Sequence, residues 1–453
     1  MRVHFIAIGG SAMHNLAIAL HKKGYQVSGS DDEIFEPSKS RLQQHGLLPE
    51  RQGWDPEKIS SQLDAIILGM HARADNPELK RALDLGLKVY SYPEYLYSQT
   101  ENKTRAVIGG SHGKTTVTSM VMHACRQTQK AFDFMVGAQL EGFDTMVSLS
   151  ADAPIAIFEG DEYLSSPIDM RPKFLWYKPQ IAILTGVAWD HINVFPTFEG
   201  YVNQFRLFAQ SIPDGGTLIY YAGDEHLRII AQEQQHRIHT LSYEGLPFIT
   251  QQGVTQIQWQ GNTYPTQVFG AHNLQNIHAA MLMCEKLGIS HHDFLTSMSS
   301  FAGAARRLQV LANNSESTVF LDFAHSPSKL KATTQAVRAQ YPDRELIACM
   351  ELHTFSSLNK AFLPQYKHSM QEAHRAFVYF SPEVVKHKRL EPFTVEEVSS
   401  AFDQPGLEVH TNSQQLFDQL GAMNWKNKNL LIMTSGNFDG IDIKQFVENL
   451  KQD

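Results

Sequence analysis

The segment Gly109-Gly110-Ser111-His112-Gly113-Lys114-Thr115-Thr116 packs three glycines, one lysine and two threonine hydroxyls into eight residues. An apolar run, Arg105 to Ile108, precedes it, and a helix-length stretch begins at Lys114. Backbone N–H groups at a strand-to-helix turn hold phosphate oxygens. Lys114 then brings a positive charge to the β- and γ-phosphates of ATP, and the Thr115 hydroxyl is placed to ligate Mg²⁺. Gly110, Ser111, His112, Gly113 and Thr116 complete the expected ATP loop. In the common form of this loop a glycine stands five residues before Gly113; here that position is Ile108.

A second group of residues suits the same chemistry. Ile155 to Phe158 is apolar and runs into Glu159-Gly-Asp161-Glu162. Carboxylates at the end of a parallel strand lie where open α/β sheets bind ligands. Glu159 could therefore offer oxygen to Mg²⁺, a hard cation. Asp161 and Glu162 read equally well as caps of a following helix. Asp190-His191 follows the next apolar run, Ile181 to Leu184, which brings His191 toward Glu159. Asn273 and Asn276 stand three apart at the start of a helical stretch and share a face, although Asn273 alone would serve as an N-cap. Arg306-Arg307 opens the last third of the chain, and Asp322 with His325 follows a strand there.

These residues need a scaffold that 453 residues can supply as two to four domains. Apolar content of 42% and charged content of 19% describe a soluble globular chain. A net charge of −8 leaves no basic excess to neutralise phosphates, which argues against nucleic acid as a partner. No run approaches the ~20 apolar residues of a membrane span. Three widely spaced cysteines, Cys125, Cys284 and Cys349, fit neither a zinc knuckle nor a disulfide framework, so a reducing cytoplasm is expected.

Strand and helix patterns alternate three times over. Val3–Ile8, Gln26–Ser30, Ala65–Leu68 and Lys88–Tyr90 read as strands of a first parallel sheet. The polar stretch Ser98–Thr104 reads as a linker. A second sheet starts at Arg105 and takes in 154–158, 180–184 and 217–221. Residues 241–268 look like short antiparallel strands. A third sheet is expected from 319–323, 346–350, 376–380 and 429–433. The fold class is therefore α/β in three domains, at 1–103, 104–303 and 304–453.

Taken together, the loop at Gly110–Thr116, Glu159–Glu162, Asp190-His191, His272-Asn273-x-x-Asn276, Arg306-Arg307 and Asp322-x-x-His325-x-Pro327 resemble the Mur ligases of bacterial cell-wall synthesis over essentially the whole chain. The resemblance implies a Rossmann-like domain for a UDP-sugar, a central ATPase with a mixed sheet, and a Rossmann-like C-terminal domain. It also implies attack of a UDP-muramic acid carboxylate on ATP, followed by attack of an amine on the acyl phosphate. Lys114, Glu159 and His191 would be catalytic, and Thr115, Glu159 and His191 would hold Mg²⁺. Asn273, Asn276, Arg307, Asp322 and His325 would meet ATP. Gly9, Gly10, Ser11 and Asp31, with His71, would meet the UDP-sugar. In the family's Gly-x-Gly-Gly turn the first glycine is here Ala7.

Two family activities use UDP-N-acetylmuramate: addition of L-alanine, and attachment of a recovered L-alanyl-γ-D-glutamyl-meso-diaminopimelate tripeptide. Asp161-Glu-Tyr163, the segment Pro172–Tyr177, Glu351-Leu-His353-Thr and Met433–Ile441 resemble the tripeptide form. The N-terminal turn is closer to the alanine form. The tripeptide reading calls for cations to meet its carboxylates, with Arg171 and Lys173 as candidates. A noncatalytic UDP-sugar sensor on the same fold is the alternative of another class.

Overall fold

The computed structural model describes residues 1–189, 194–251, 254–304 and 307–450. They form two compact units. The first joins Met1–Val187, Glu199–Tyr243 and Ala279–Phe294; the second takes in the described parts of 188–198, 244–278 and 295–453.

In the first unit, β1 (Arg2–Ile6), β2 (Gln26–Ser30), β3 (Ala65–Leu68) and β4 (Val89–Ser91) form an all-parallel sheet ordered β2-β1-β3-β4. All four residues of Ala65-Ile-Ile-Leu68 are buried, as expected of a parallel strand covered on both faces. The helices over it are locally encoded. Asn76 accepts from the backbone N–H groups of Glu78 and Leu79, and Pro77 opens that helix. Ser91 and Glu94 form a capping box at the helix Tyr92–Ser98.

The same unit holds the second sheet. Its strands are β5 (Thr104–Gly109), β6 (Phe132–Met135), β7 (Val147–Ser148) and β8 (Ile155–Glu159), then, after the hairpin β9 (Leu164–Ser166) and β10 (Asp169–Pro172), β11 (Ile181–Leu184), β12 (Thr217–Tyr221) and β13 (His239–Tyr243). The order is β13-β12-β11-β5-β8-β6-β7, with only β6 and β7 antiparallel, so the sheet is mixed as expected. The phosphate-loop strand β5 is central, between β11 and β8. The chain leaves β5 for β6 on one side and returns to β11 on the other. A crevice at the carboxyl end of β5 follows from that reversal. Residues 241–243 depart from the antiparallel expectation for 241–268, because β13 pairs parallel with β12.

In the second unit, β14 (Phe248–Gln251), β15 (Val254–Trp259) and β16 (Asn262–Thr266) form the expected antiparallel sheet. β17 (Gln309–Asn313), β18 (Ser317–Asp322), β19 (Glu345–Leu352), β20 (Arg375–Phe380), β21 (Leu407–His410) and β22 (Lys428–Met433) form a sheet ordered β17-β18-β22-β19-β20-β21. Only the edge strand β17 is antiparallel. Core layers cover both faces, one around Leu330, Met350 and Phe380 and the other around Ile347, Phe377 and Ile432. Among the described residues no helix is long and apolar enough to cross a membrane.

Candidate active site

Gly110 and Gly113 adopt positive φ angles of 125° and 75°. These left-handed values wrap the loop, and the helix Lys114–Gln127 starts directly after Gly113. Ile108 sits fully buried inside β5, paired with Glu159 and Ile183, so a glycine at that position would have no turn to make. A Cβ at Gly110 would lie 2.2 Å from Thr185 Oγ1 and 2.7 Å from its backbone nitrogen. Gly110→Ala is therefore expected to destabilise the protein by about 2–3 kcal/mol and to weaken ATP binding. Chemical denaturation with and without ATP checks this; a wild-type midpoint would show that the loop yields freely.

Side chains converge below the loop. Thr115 Oγ1 donates to Glu159 Oε1 at 2.9 Å, and the Gly137 amide donates to the other carboxylate oxygen at 2.8 Å. A Cβ at Gly137 would lie 2.9 Å from that carboxylate, so the close approach requires glycine. Two hard oxygen donors side by side suit Mg²⁺, which binds few protein ligands and keeps several waters. No group of three or more His, Cys, Asp or Glu side chains that could hold a metal ion occurs among the described residues. His191 and Arg306 lie outside the described residues.

Lys114 Nζ donates to the Gly110 carbonyl at 2.7 Å and pairs with Glu162 Oε2 at 2.8 Å. Burial alone would lower its pKa. The Glu162, Asp161 and Glu159 carboxylates outweigh burial and push the pKa up, so the ammonium stays charged. Glu162 is held in turn by Tyr201, whose hydroxyl lies 2.8 Å from Glu162 Oε1 and 3.0 Å from Ser111 Oγ. The helix-cap reading of Asp161 and Glu162 is corrected here. A β-hairpin follows β8, and both carboxylates take lysines instead: Glu162 takes Lys114 and Asp161 takes Lys173 at 2.7 Å. Tyr201 and Gly137 carry no sequence signal of their own.

Arg171 and Lys173, the cations offered for the tripeptide's carboxylates, each pair with a carboxylate of their own segment, Asp169 and Asp161. Arg171 grips Asp169 through two bonds of 2.8 and 3.0 Å and stacks 4.1 Å from the Trp176 ring. The Arg171 side chain is 61% exposed, so the ion pair is worth little. Arg171→Ala is expected to leave the KM of a peptide substrate within twofold; a tenfold rise would restore Arg171 to the substrate site.

At the N-terminal turn, the Ala7 and Ile8 amides both donate to the Ser30 carbonyl, and the Gly9 amide donates to Asp31 Oδ2 at 2.6 Å. Ala7 takes φ 71°, the glycine-like conformation, at a cost of about 1–2 kcal/mol. Burial pushes the Asp31 carboxyl up to about 6; the Gly9 amide opposes that and Asp32 adds to it. Gly10 and Ser11 open the helix Ser11–Lys22. His71 is exposed on the loop after β3 and takes no part in this network among the described residues.

In the second unit, Asn273 is the third residue of the helix Ala271–Lys286 and not its cap. Its amide donates to the Phe269 carbonyl at 2.9 Å, and Asn276 Nδ2 reaches Asn273 Oδ1 at 3.3 Å. The shared face is confirmed. Burial drives the neighbouring His272 down to about 4, which keeps it neutral. Asp322 accepts from the Leu308 and Ala324 amides at 2.6 and 2.7 Å. Burial raises its pKa against Arg307 and those amides. Arg307 stacks over Phe323 at 4.7 Å, and His325 Nδ1 lies 2.8 Å from the Phe323 carbonyl.

Residues 2–104 match the Mur ligase family, catalytic domain, and residues 108–284 match the Mur ligase middle domain. The UDP-N-acetylmuramate–L-alanine ligase of Limosilactobacillus reuteri is 31% identical over 395 residues, 83% of this chain and 84% of that protein. The UDP-N-acetylmuramate–L-alanyl-γ-D-glutamyl-meso-2,6-diaminoheptandioate ligase of Haemophilus influenzae is 26% identical over 98% of both chains. Among solved structures, a murein peptide ligase from Psychrobacter arcticus superposes with a TM-score of 0.67 at 22% identity, covering 99% of this chain and 98% of its own. A UDP-N-acetylmuramate–alanine ligase from Thermotoga maritima does so with a TM-score of 0.72 at 19% identity, covering 100% and 99%. The three-domain α/β fold is thereby established. The chain belongs to the Mur ligase family, and its activity is ATP-dependent formation of an amide bond.

Proposed function

We propose that this ligase joins UDP-N-acetylmuramate to L-alanyl-γ-D-glutamyl-meso-diaminopimelate, in the cytoplasm, as a step of peptidoglycan recycling. The carrying observation is the segment Asp161–Tyr177. It departs from the alanine-ligase pattern, forms the hairpin β9–β10, and supplies Asp161, Lys173 and Tyr177 to the cavity that also meets Lys114 and Glu159. The alignment of the tripeptide-ligase relative over 98% of both chains adds support.

In this reading a muramoyl carboxylate oxygen forms a bond to the γ-phosphorus, the bond to the β-phosphate oxygen breaks, and ADP leaves. The amine nitrogen then bonds to the acyl carbon and loses a proton, and phosphate leaves from the tetrahedral intermediate. Catalysis is positioning plus charge neutralisation. Lys114 meets the transferring phosphoryl group, and Gly110, Ser111, His112, Gly113 and Thr116 wrap the phosphates. Thr115, Glu159 and His191 would hold Mg²⁺, which would supply further neutralisation of phosphate charge. Asn273, Asn276, Arg307, Asp322 and His325 belong to the nucleotide site. Gly9, Gly10, Ser11, Asp31 and His71 belong to the UDP-sugar site. Domain boundaries at 1–103, 104–303 and 304–453 accompany this assignment.

The second reading, L-alanine as the amine, is favoured by the N-terminal turn and by the 31% identical alanine-ligase relative. Phosphate release from ATP, with UDP-N-acetylmuramate and either the tripeptide or L-alanine, separates the two. A larger kcat/KM for L-alanine would overturn the tripeptide assignment. Binding of the sugar nucleotide with no phosphate release for either amine would point to a sensor.

A further inference from the structure

The first unit contains a cavity of about 320 Å³ lined by residues of the N-terminal turn, Ser11 and Ala12, and by Lys114, Glu159, Lys173 and Tyr177. The chemistry of this wall is largely committed. Lys114 pairs with Glu162, Lys173 with Asp161, and Glu159 with Thr115 and Gly137. Tyr177 differs. The residue is fully buried, yet its hydroxyl has no hydrogen-bond partner among the described residues. The rest of the residue is fixed: its carbonyl accepts from Arg105 Nε at 2.7 Å, and its ring packs 5.0 Å from Phe158. Buried hydroxyls are nearly always satisfied, so an orphan one on a cavity wall asks for a ligand acceptor.

The surroundings say which protonation state the hydroxyl keeps. Burial raises the phenol well above its ordinary value, and the charged or polar groups facing it, Tyr92, Asp161 and Glu159, raise it further. All three also line the cavity. Tyr177 is thus a neutral donor, ready for an oxygen acceptor.

We propose that Tyr177 is a substrate-binding residue that donates its hydroxyl hydrogen bond to the carboxylate-bearing end of the sugar nucleotide, in the cavity between Ser11 and Lys114. The inference rests on UDP-N-acetylmuramate as the acyl substrate. The lactyl carboxylate must come beside Lys114 to reach the γ-phosphate, and Tyr177 lines the same cavity. Fixing that end of the sugar orients the attacking oxygen.

Tyr177→Phe removes one oxygen and keeps the ring. Calorimetric titration of the whole protein with UDP-N-acetylmuramate is expected to show about fivefold to tenfold weaker binding. Titration with UDP-N-acetylglucosamine, which lacks the lactyl carboxylate, should change by less than twofold. The KM for UDP-N-acetylmuramate rises in parallel, and the KM for ATP does not. The melting temperature without ligand stays level or rises, because an unsatisfied buried hydroxyl has been removed. Equal affinity of wild type and Tyr177→Phe for UDP-N-acetylmuramate overturns the inference alone. A lower melting temperature with equal losses for both sugars makes Tyr177 a packing residue and also overturns it. Failure of the wild type to bind UDP-N-acetylmuramate removes the substrate assignment and this inference with it.

Discussion

Replacing Lys114 with alanine is expected to lower kcat/KM for ATP-dependent phosphate release by about 10²–10³-fold, the loss found when one preorganised charge-stabilising donor is removed. The neighbourhood makes the loss severe. Glu159, Asp161 and Glu162 all act on the Lys114 ammonium, and Asp161 also pairs with Lys173. Without Lys114, an incoming triphosphate would meet Glu159 and Glu162 with no side-chain cation of the loop to offset them. Lys114→Arg should not rescue activity, because a planar guanidinium cannot place one compact charge where the ammonium meets both the Gly110 carbonyl and Glu162. Glu162→Gln is the companion variant. It keeps the cation and removes its competitor, so nucleotide binding should hold or tighten. A Lys114→Ala enzyme with more than a tenth of wild-type kcat/KM would end the assignment of this lysine to the transferring phosphoryl group.

That network shows which parts of the site were legible in the sequence. The loop was readable because a strand, a glycine turn and Gly-Lys-Thr occur in contiguous order, and local chemistry fixes such a turn. Glu159 was readable because it ends an apolar run, and Ile155–Glu159 is the strand paired with β5. Its contact with Thr115 follows from that pairing. Glu162 was misread as a possible cap because the hairpin Leu164–Pro172 is short, half exposed and interrupted at Pro167. Tyr201 was invisible. Its helix, Phe198–Gln210, presents five buried residues, and nothing in the spacing separates the one that carries a hydroxyl to Glu162 from the four that only pack. Strands were legible in proportion to their burial. Ala65–Leu68 and Thr217–Tyr221 fall where periodicity places them. The two-residue β7 and the half-exposed edge strand β21 depend on partners distant in sequence. The antiparallel expectation failed at 241–243 because the strands that follow form hairpins, whereas this segment pairs with the preceding strand, β12.

The largest stability effect is expected in the N-terminal sheet, at a pair no part of the catalytic argument uses. His4 on β1 and Glu78 in the first turn of the helix Pro77–Asp84 are both wholly buried, with Nε2 and Oε2 3.2 Å apart. The other His4 nitrogen lies 2.8 Å from Ser28 Oγ, and the other Glu78 oxygen accepts from the Asp55 amide at 2.7 Å. One carboxylate thus ties together β1, the helix and the loop at Asp55. Glu78→Ala leaves the imidazole and the amide without their acceptor in a site with no access to water. Each unsatisfied group costs about 1–3 kcal/mol, and breaking such a buried pair costs about 3–5 kcal/mol in all. Glu78→Gln keeps an acceptor oxygen and roughly the same volume, so about half of that loss should return. Since β1 runs directly into the Gly9-Gly10 turn, weakening it should also raise the KM for the sugar nucleotide while leaving the KM for ATP in place. Urea denaturation of the two variants, read beside both KM values, tests the chain of effects. A Glu78→Ala protein within 1 kcal/mol of wild type would mean that water or a shifted side chain satisfies His4 and Asp55 once the carboxylate is gone, and the tie between sheet, helix and loop would have to lie elsewhere.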